Sequence, residues 1–522
     1  MNKLARLRKN LLSPTSAILA IISAVLLIFA FPDFEYWFFA WFALVPLFFA
    51  VEREKDSGFK AFLVGWVFGL VFFFGTCWWL TFAPITYAAM PAPLVYFFMF
   101  CAAGAVGVLP GIFGALFSVV LRRFGNYGVL SAPFLWTFTE FLRMWLTGNN
   151  WNAIGYSQAF NHLLLPFGSY GGVLLVGFIC AAINTCYAVP AIWRTKNSAL
   201  FAIIPQVILL AAVSLSYYQP VSNVQADTTA VVVAVQPNVP MNGLTIEKYQ
   251  QLLTRHIELA ESALKQLTTE HRAPTTVIFP ESPMIFQYGR DEELQQFLRD
   301  FAVRNNASVL FNSAEVNAEK RILNSAVMID ARGEKNAQYD KIHLLPFGEY
   351  IPFPEPLASR MPAFVGNFQF GDEYDLLPFG EATGGVMICF ESHFGELSSE
   401  YARRGADVLI EMTNDGYLGN TPVLRQHLAN SVFRAVETNR PLLRVTNVGV
   451  TAYINERGET RDAADVYTEA TRVWTISKSD GKQTMYVKYG EWFAWACTIL
   501  SLVIIILSFI STQKREVAEP QS

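Results

Sequence analysis

Charged side chains are scarce in this chain. Asp, Glu, Lys and Arg supply only 16% of its 522 residues while hydrophobic residues reach 53%, against about 25% charged residues in ordinary soluble domains. That balance excludes a wholly soluble protein. Cysteine is rare as well. Five of the six cysteines, Cys77, Cys101, Cys180, Cys186 and Cys497, sit in strongly apolar stretches, which leaves Cys389 alone in the polar half. The six histidines, His162, His256, His271, His343, His393 and His427, lack metal-ligand spacing, so neither a metal nor another cofactor is expected. The net charge of -4 says little about partners, and the chain has no basic tract that would suggest nucleic acid, so no nucleic-acid partner is expected. It also shows no internal repeat, and no low-complexity segment beyond its short polar end.

What the chain has in plenty is apolar run length. Crossing a bilayer takes about 20 apolar residues per helix, and candidate runs fall at about 11–31, 35–51, 59–82, 92–121, 127–146, 168–193, 198–218 and 491–511. The expectation is a polytopic α-helical membrane protein with eight spans. Residues 222–490 contrast with this, because charges recur throughout them, each costing about 2.5 to 3.5 kcal/mol at the bilayer centre. The expected division is therefore 1–221 as a membrane domain with seven spans, 222–490 as one large water-exposed domain, and 491–522 as a last span with a short tail. Lys and Arg precede the first run, recur in alternate connections and follow the last run, whereas 32–34, 83–91 and 147–167 contain neither. The positive-inside rule then puts both termini in the cytoplasm and the large domain on the exoplasmic side, the periplasm in a double-membraned bacterium. Phe31-Pro32-Asp33-Phe34-Glu35 offers no small-x-small cleavage pattern after the first run, so that run reads as an uncleaved anchor. Glu140 and Arg143, three apart in an apolar run, read as a functional pair or a structural ion pair.

Within the polar half, apolar β-branched stretches at 229–235, 275–279, 307–311, 324–329, 384–389, 406–412 and 442–454 alternate with helical spacing at 246–267, 291–305, 393–404 and 422–439. Thr421 is placed as an N-cap and Pro422 as the first residue of the last helix. Such alternation predicts an α/β domain with helices over its strands, and polar residues just beyond strands then collect along one sheet edge. Three stand out: Glu281 after a strand, Lys341 beside an apolar segment, and Cys389 at a strand end.

A thiol needs a base or a positive neighbour to act as a nucleophile. Glu281 suits the base, and the Lys341 ammonium suits stabilisation of an oxyanion. Glu349 then holds the lysine or relays protons. Taken singly, each has a plainer reading: a buried inert thiol, a capping carboxylate, solvated surface charges.

Together the segments Phe279-Pro280-Glu281, Tyr339-Asp340-Lys341-Ile342-His343-Leu344-Leu345-Pro346-Phe347-Gly348-Glu349-Tyr350, Ile388-Cys389-Phe390-Glu391, Thr413-Asn414-Asp415-Gly416-Tyr417 and Arg434-Ala435-Val436-Glu437-Thr438-Asn439-Arg440 resemble the carbon-nitrogen hydrolase (nitrilase) superfamily. That resemblance implies an αββα sandwich bearing a Glu-Lys-Cys triad, with Glu349 and Glu391 in auxiliary roles. With the membrane part included, the whole chain is similar to the apolipoprotein N-acyltransferase family. The loop with Gly148, Trp151 and Gly155-Tyr156-Ser157-Gln158, and Val235-Gln236-Pro237-Asn238-Val239-Pro240, carry the added similarity. Three positions depart from the family pattern: Phe390 stands where Tyr is usual, Tyr417 where Trp is common, and no Trp lies near Thr245.

The similarity implies a membrane-bound acyltransferase, with a monomer as the simplest case. Cys389 takes an acyl chain from a phospholipid, phosphatidylethanolamine foremost, as a thioester and passes it to the α-amine of a diacylated apolipoprotein in a ping-pong scheme. Gly148, Trp151, Tyr156, Phe390 and Asn414 are the implied substrate-binding residues. Phe347, Tyr350, Phe353, Met361, Phe364, Phe368 and Phe370 are candidates for a greasy rim that keeps water from the thioester, or else pack a loop or touch lipid. The rival readings are a membrane-anchored amidase, which one span would serve, and a non-catalytic binding module, which would not keep all three triad residues. A Cys389–His393 protease pair leaves the lysine and both carboxylates unexplained.

Overall fold

Glycines among apolar residues govern how the helices of the first unit meet. The computed structural model describes residues 12–32, 34–207, 228–267, 273–352, 354 and 366–516. The chain divides into one unit formed by Met1–Val221, Thr421–Gln426 and Glu491–Ser522, and a second formed by Ser222–Asn420 and His427–Gly490. In the first unit, Ser57 caps the helix Gly58–Cys77 by accepting from the Lys60 amide. Gly65 of that helix lies so close to the helix Val108–Phe124 that an added Cβ would sit 2.0 Å from the carbonyl oxygen of Pro110. Gly69 meets Gly107 in the same way, at 2.7 Å. Small residues let backbones approach where lipid supplies no hydrophobic drive between helices. Gly65→Leu is therefore expected to separate the two helices at a cost of about 1–3 kcal/mol, read as a lower midpoint of thermal helix loss in detergent.

Among the described residues, four helical stretches are long and apolar enough to cross a membrane: Gly58–Thr86, Ala92–Thr147, Leu165–Trp193 and Trp492–Ile510. Pro14–Phe29 and Asn197–Val207 are shorter apolar helices. Several expected runs are broken by local geometry. The 35–51 run becomes a short 3-10 turn, Trp37–Trp41, and the nine-residue helix Val45–Arg53 with a proline in its first turn. The 92–121 run divides at Gly107, which lies against the backbone of Trp66 and Leu70. The expected run at 198–218 lies outside the described residues from 208 onward.

Buried polar side chains tie this unit together. Asn184 donates to the carbonyls of Ala40 and Cys180 and accepts from the Leu44 amide at 2.7 Å. Glu140 and Arg143 each serve the loop that follows their own helix. Glu140 accepts from the Ile154 amide at 2.9 Å, and Arg143 donates to the Trp151 carbonyl at 2.8 Å and lies over the Phe73 ring. Their role is to hold residues 150–154 against the helix Ala132–Thr147.

The second unit is built from two six-stranded sheets. The first contains β1 (Ala230–Gln236), β2 (Thr275–Ile278), β3 (Ala307–Val316), β4 (Ile322–Ile329), β5 (Lys335–Asp340) and β12 (Ala470–Ile476), in the order β12-β1-β2-β3-β4-β5. The second contains β6 (Leu376–Phe379), β7 (Ala382–Ile388), β8 (Val408–Thr413), β9 (Leu442–Thr446), β10 (Ala452–Ile454) and β11 (Thr460–Arg461), in the order β11-β10-β9-β8-β7-β6. Both sheets have parallel centres, β1-β2-β3 and β7-β8-β9, with antiparallel strands outside them.

The parallel strands are almost wholly buried, as strands covered on both faces must be. Thr245 and Asp291 cap the helices Ile246–Gln266 and Glu292–Asn305. These helices bring Ile257, Ala260, Leu294, Leu298 and Phe301 onto Val233, Val277 and Val309. The helices Gly395–Arg403 and Val423–Thr438 follow β7 and β8. Tyr401 reaches back from the first of them to the Val386 carbonyl at 2.7 Å. Thr446 of β9 donates to Gln236 of β1 at 3.2 Å, linking one sheet to the other. The domain is thus α/β, with two helix-covered sheets.

Candidate active site

The C-terminal ends of β2, β5 and β7 carry Glu281, Lys341 and Cys389. Lys341 and Cys389 are the first residues beyond their strands. Strand β5 runs in the same direction as β2, since two antiparallel pairings separate it from β3. All three side chains line one pocket of about 40 Å³, together with Asn312, Asn324, Leu345, Glu349, Phe368 and Tyr417. That is room for a few waters.

Cys389 has a φ of +56°, a left-handed conformation that costs a non-glycine residue about 1–3 kcal/mol. Its turn is held by the buried carboxylate of Glu391, which accepts from the Ile388 amide at 2.8 Å with one oxygen. The other oxygen accepts from the Tyr339 hydroxyl at 2.7 Å and from the amides of Ile342 and His343 at 2.8 and 3.0 Å. One side chain thereby ties the cysteine turn to the loop behind Lys341. Burial pushes the Glu391 carboxyl up to about 7, with Lys341 and these donors pulling against it.

Lys341 is 1% exposed, and its Nζ lies 2.9 and 2.8 Å from the two oxygens of Glu349. Burial disfavours its charge, but Glu349 and then Glu281 outweigh that and hold the ammonium above its ordinary value. Glu349 is fixed in turn by the Asn324 amide at 2.7 Å and the Leu345 backbone at 2.8 Å.

Glu281 accepts from the Asn324 side chain at 3.3 Å and from the Asn414 amide at 3.2 Å. Burial raises its pKa, with Lys341 opposing and Glu349 adding. The Cys389 thiol is also pushed well up, by burial first and then by Glu281, against the pull of Lys341. The resting pair is therefore a neutral thiol that shares its pocket with a carboxylate able to take its proton, with an ammonium beside both. This arrangement suits attack on an acyl carbon.

The remaining candidates are placed as follows. Asn414 joins the site through its backbone, and its side-chain oxygen is held by Gly416 and Asn447. Phe390 stacks on His393 at 5.7 Å. His393 is buried and its carbonyl accepts from Arg434, so this pairing serves packing of the turn. Phe347 and Phe370 are exposed, and Tyr350 packs edge-on to Phe370 at 5.0 Å. Phe353, Met361 and Phe364 lie outside the described residues.

Gly148, Trp151 and Tyr156 belong to the first unit. Gly148 ends the helix Ala132–Thr147 in a left-handed conformation, and Tyr156 is buried. The Trp151 indole donates to Gln426, which also accepts from Trp79 and Asn152. Sequence reasoning missed two features, although Asp415 of the second lies in the matching segment Thr413-Asn414-Asp415-Gly416-Tyr417. Asn324 lies inside a strand, and a buried cluster of His427, Glu411, Asp415 and Arg444 lies behind the cysteine turn.

Comparison with known proteins agrees with this division. Residues 23–186 match the family described as Apolipoprotein N-acyltransferase N-terminal domain, and residues 232–486 match Carbon-nitrogen hydrolase. An apolipoprotein N-acyltransferase of Geobacter metallireducens is 29% identical over 511 residues, covering 94% of this chain and 95% of that protein. One from Sinorhizobium medicae is 30% identical over 424 residues, 76% of each. Among solved structures, Nit3 of Saccharomyces cerevisiae, a member of branch 10 of the nitrilase superfamily, covers 48% of this chain at 18% identity, with a TM-score of 0.38.

Proposed function

Because this chain belongs to the apolipoprotein N-acyltransferase family, we propose that it moves an acyl chain from a membrane phospholipid, through a thioester on Cys389, to the α-amine of a diacylated apolipoprotein. The observation that carries this reading is the shared pocket of Glu281, Lys341, Glu349 and Cys389. In the first half-reaction the Cys389 sulfur attacks the ester carbonyl as its proton passes to Glu281. The oxyanion forms against the Lys341 ammonium. When the C–O bond breaks, Glu281 returns the proton to the departing lysophospholipid. In the second half-reaction the lipoprotein amine attacks the thioester and loses a proton to Glu281. The C–S bond breaks, and the thiol of Cys389 is restored as the amide is released. Glu349 keeps Lys341 charged and aimed, and Glu391 fixes the turn that presents the sulfur.

Eight spans with both termini cytoplasmic and the catalytic domain periplasmic complete the proposal, supported by the distribution of basic residues. Both substrates are anchored by fatty chains, at about 0.8 kcal/mol per buried methylene, so a membrane-bound enzyme spares their extraction. Gly148, Trp151, Tyr156, Phe390 and Asn414 are proposed to help seat them. Incubation with phosphatidylethanolamine is expected to leave a hydroxylamine-labile acyl group on Cys389. Addition of a diacylated lipopeptide with a free amine then yields its triacylated form. An adduct on another residue, or none, refutes the mechanism.

A further inference from the structure

The cluster behind the cysteine turn is more than packing. His427 is 4% exposed, and the groups that face it come from three elements. Its Nδ1 lies 2.7 Å from Oδ1 of Asp415, just beyond β8. Its Nε2 lies 3.0 Å from Oε1 of Glu411 on β8, 2.9 Å from the Ser392 hydroxyl and 3.1 Å from the backbone carbonyl oxygen of Cys389. Arg444 of β9 pairs with Glu411 and also, at 2.8 Å, with Asp415. Ionised carboxylates only accept hydrogen bonds. Both ring nitrogens of His427 point at carboxylate oxygens, and Nε2 also meets a carbonyl, so both must carry hydrogen. His427 is therefore an imidazolium. Two cations and two anions then make a neutral quartet in a site that excludes water.

We propose that His427 is a positioning residue for the acyl transfer: as an imidazolium it grips the carbonyl of Cys389, holding the nucleophile in its left-handed conformation, and supplies the positive charge that keeps Asp415 and Glu411 from opposing the oxyanion. This rests on Cys389 being the nucleophile. Neither function requires contact with substrate. Loss of the imidazolium leaves the quartet with one net negative charge beneath the turn, which disfavours both thiolate and oxyanion. The same field favours the imidazolium: burial and Arg444 work against it, yet Asp415 and Glu411 raise its pKa to about 9. Burial likewise opposes Glu411, and Arg444 and His427 lower it to about 2.

The test uses the full-length protein in detergent. His427→Gln keeps a donor of similar reach without the charge. It is expected to lower kcat for formation of the Cys389 thioester by about tenfold or more with KM for the phospholipid unchanged, and to slow iodoacetamide alkylation of Cys389, followed on its own peptide, by about tenfold. A merely structural role lowers kcat only in proportion to the folded fraction and leaves the alkylation rate of folded protein unchanged. That result, or wild-type behaviour, overturns the proposal. A measurement on the unaltered protein guards against a variant that does not fold. Histidine ¹⁵N resonances are expected to include one ring still doubly protonated at about pH 7.5, where an ordinary histidine is mostly neutral. Finding no such ring overturns the proposal. If unaltered protein forms no thioester on Cys389, the acyl-transfer reading fails and takes this proposal with it. If it does so and His427→Gln does so equally, only the proposal fails.

Discussion

Cys389→Ala is expected to abolish the acyl adduct and the triacylated product together, with a fall of at least about 10⁴-fold in turnover, since losing a nucleophile costs as much as losing a whole catalytic group. The fold should survive. Cys389 is only half-buried, and alanine fits where the sulfur sat, although the positive φ remains as awkward for alanine as for cysteine. In the proposed scheme the two lipid-linked half-reactions share this one sulfur. A variant that kept either of them would show that the acyl group travels by another route. Product formation and the mass of the tryptic peptide containing residue 389 decide the matter.

Lys341→Met should be nearly as damaging to activity and far more damaging to stability. Methionine matches the length of lysine and carries no charge. Loss of one donor to an oxyanion costs about 10² to 10³ in kcat. Lys341 is also the cation to which Glu349 is paired, and the one that offsets Glu281. Without it, the buried Glu349 and the partly buried Glu281 face each other around Asn324 with no positive charge between them. Removal of one partner from a buried pair costs about 3 to 5 kcal/mol. Thermal unfolding should therefore fall sharply, and raising the proton concentration should recover part of the loss, because one of the two carboxylates then protonates. An unfolding midpoint equal to that of the unaltered protein would show that Glu349 does not depend on Lys341.

The three residues that share the pocket were legible because each closes or follows a stretch with a recognisable pattern. Cys389 directly follows the apolar strand β7, Glu281 follows β2, and the segment after Lys341 is distinctive in itself. The strand that delivers Lys341 was not legible. β5 reads Lys-Asn-Ala-Gln-Tyr-Asp and lies at a sheet edge, half in solvent, so no apolar alternation marks it. β6 and β12 are edge strands as well, and the 442–454 stretch proved to be two strands, β9 and β10, joined by a turn. Glu140 and Arg143 were conspicuous as charges in an apolar run. Their partners are backbone groups of a loop 8 to 14 residues ahead, which no helical spacing encodes. His427 is 38 residues from the carbonyl it touches, and only the tertiary fold brings the two together.

The side chain of Asn324 sits between two carboxylates, donating through one nitrogen to Glu281 and to Glu349, while its oxygen is taken by the amide of Asn312. An amide in that position acts as an insulator. It binds both oxygens in place yet conducts no proton from one to the other, as a water or a hydroxyl would. In the proposed mechanism, a proton captured by Glu281 has no exit through this bridge toward Glu349. With that bridge closed to protons, the proposed mechanism has the carboxylate that receives the proton also give it away.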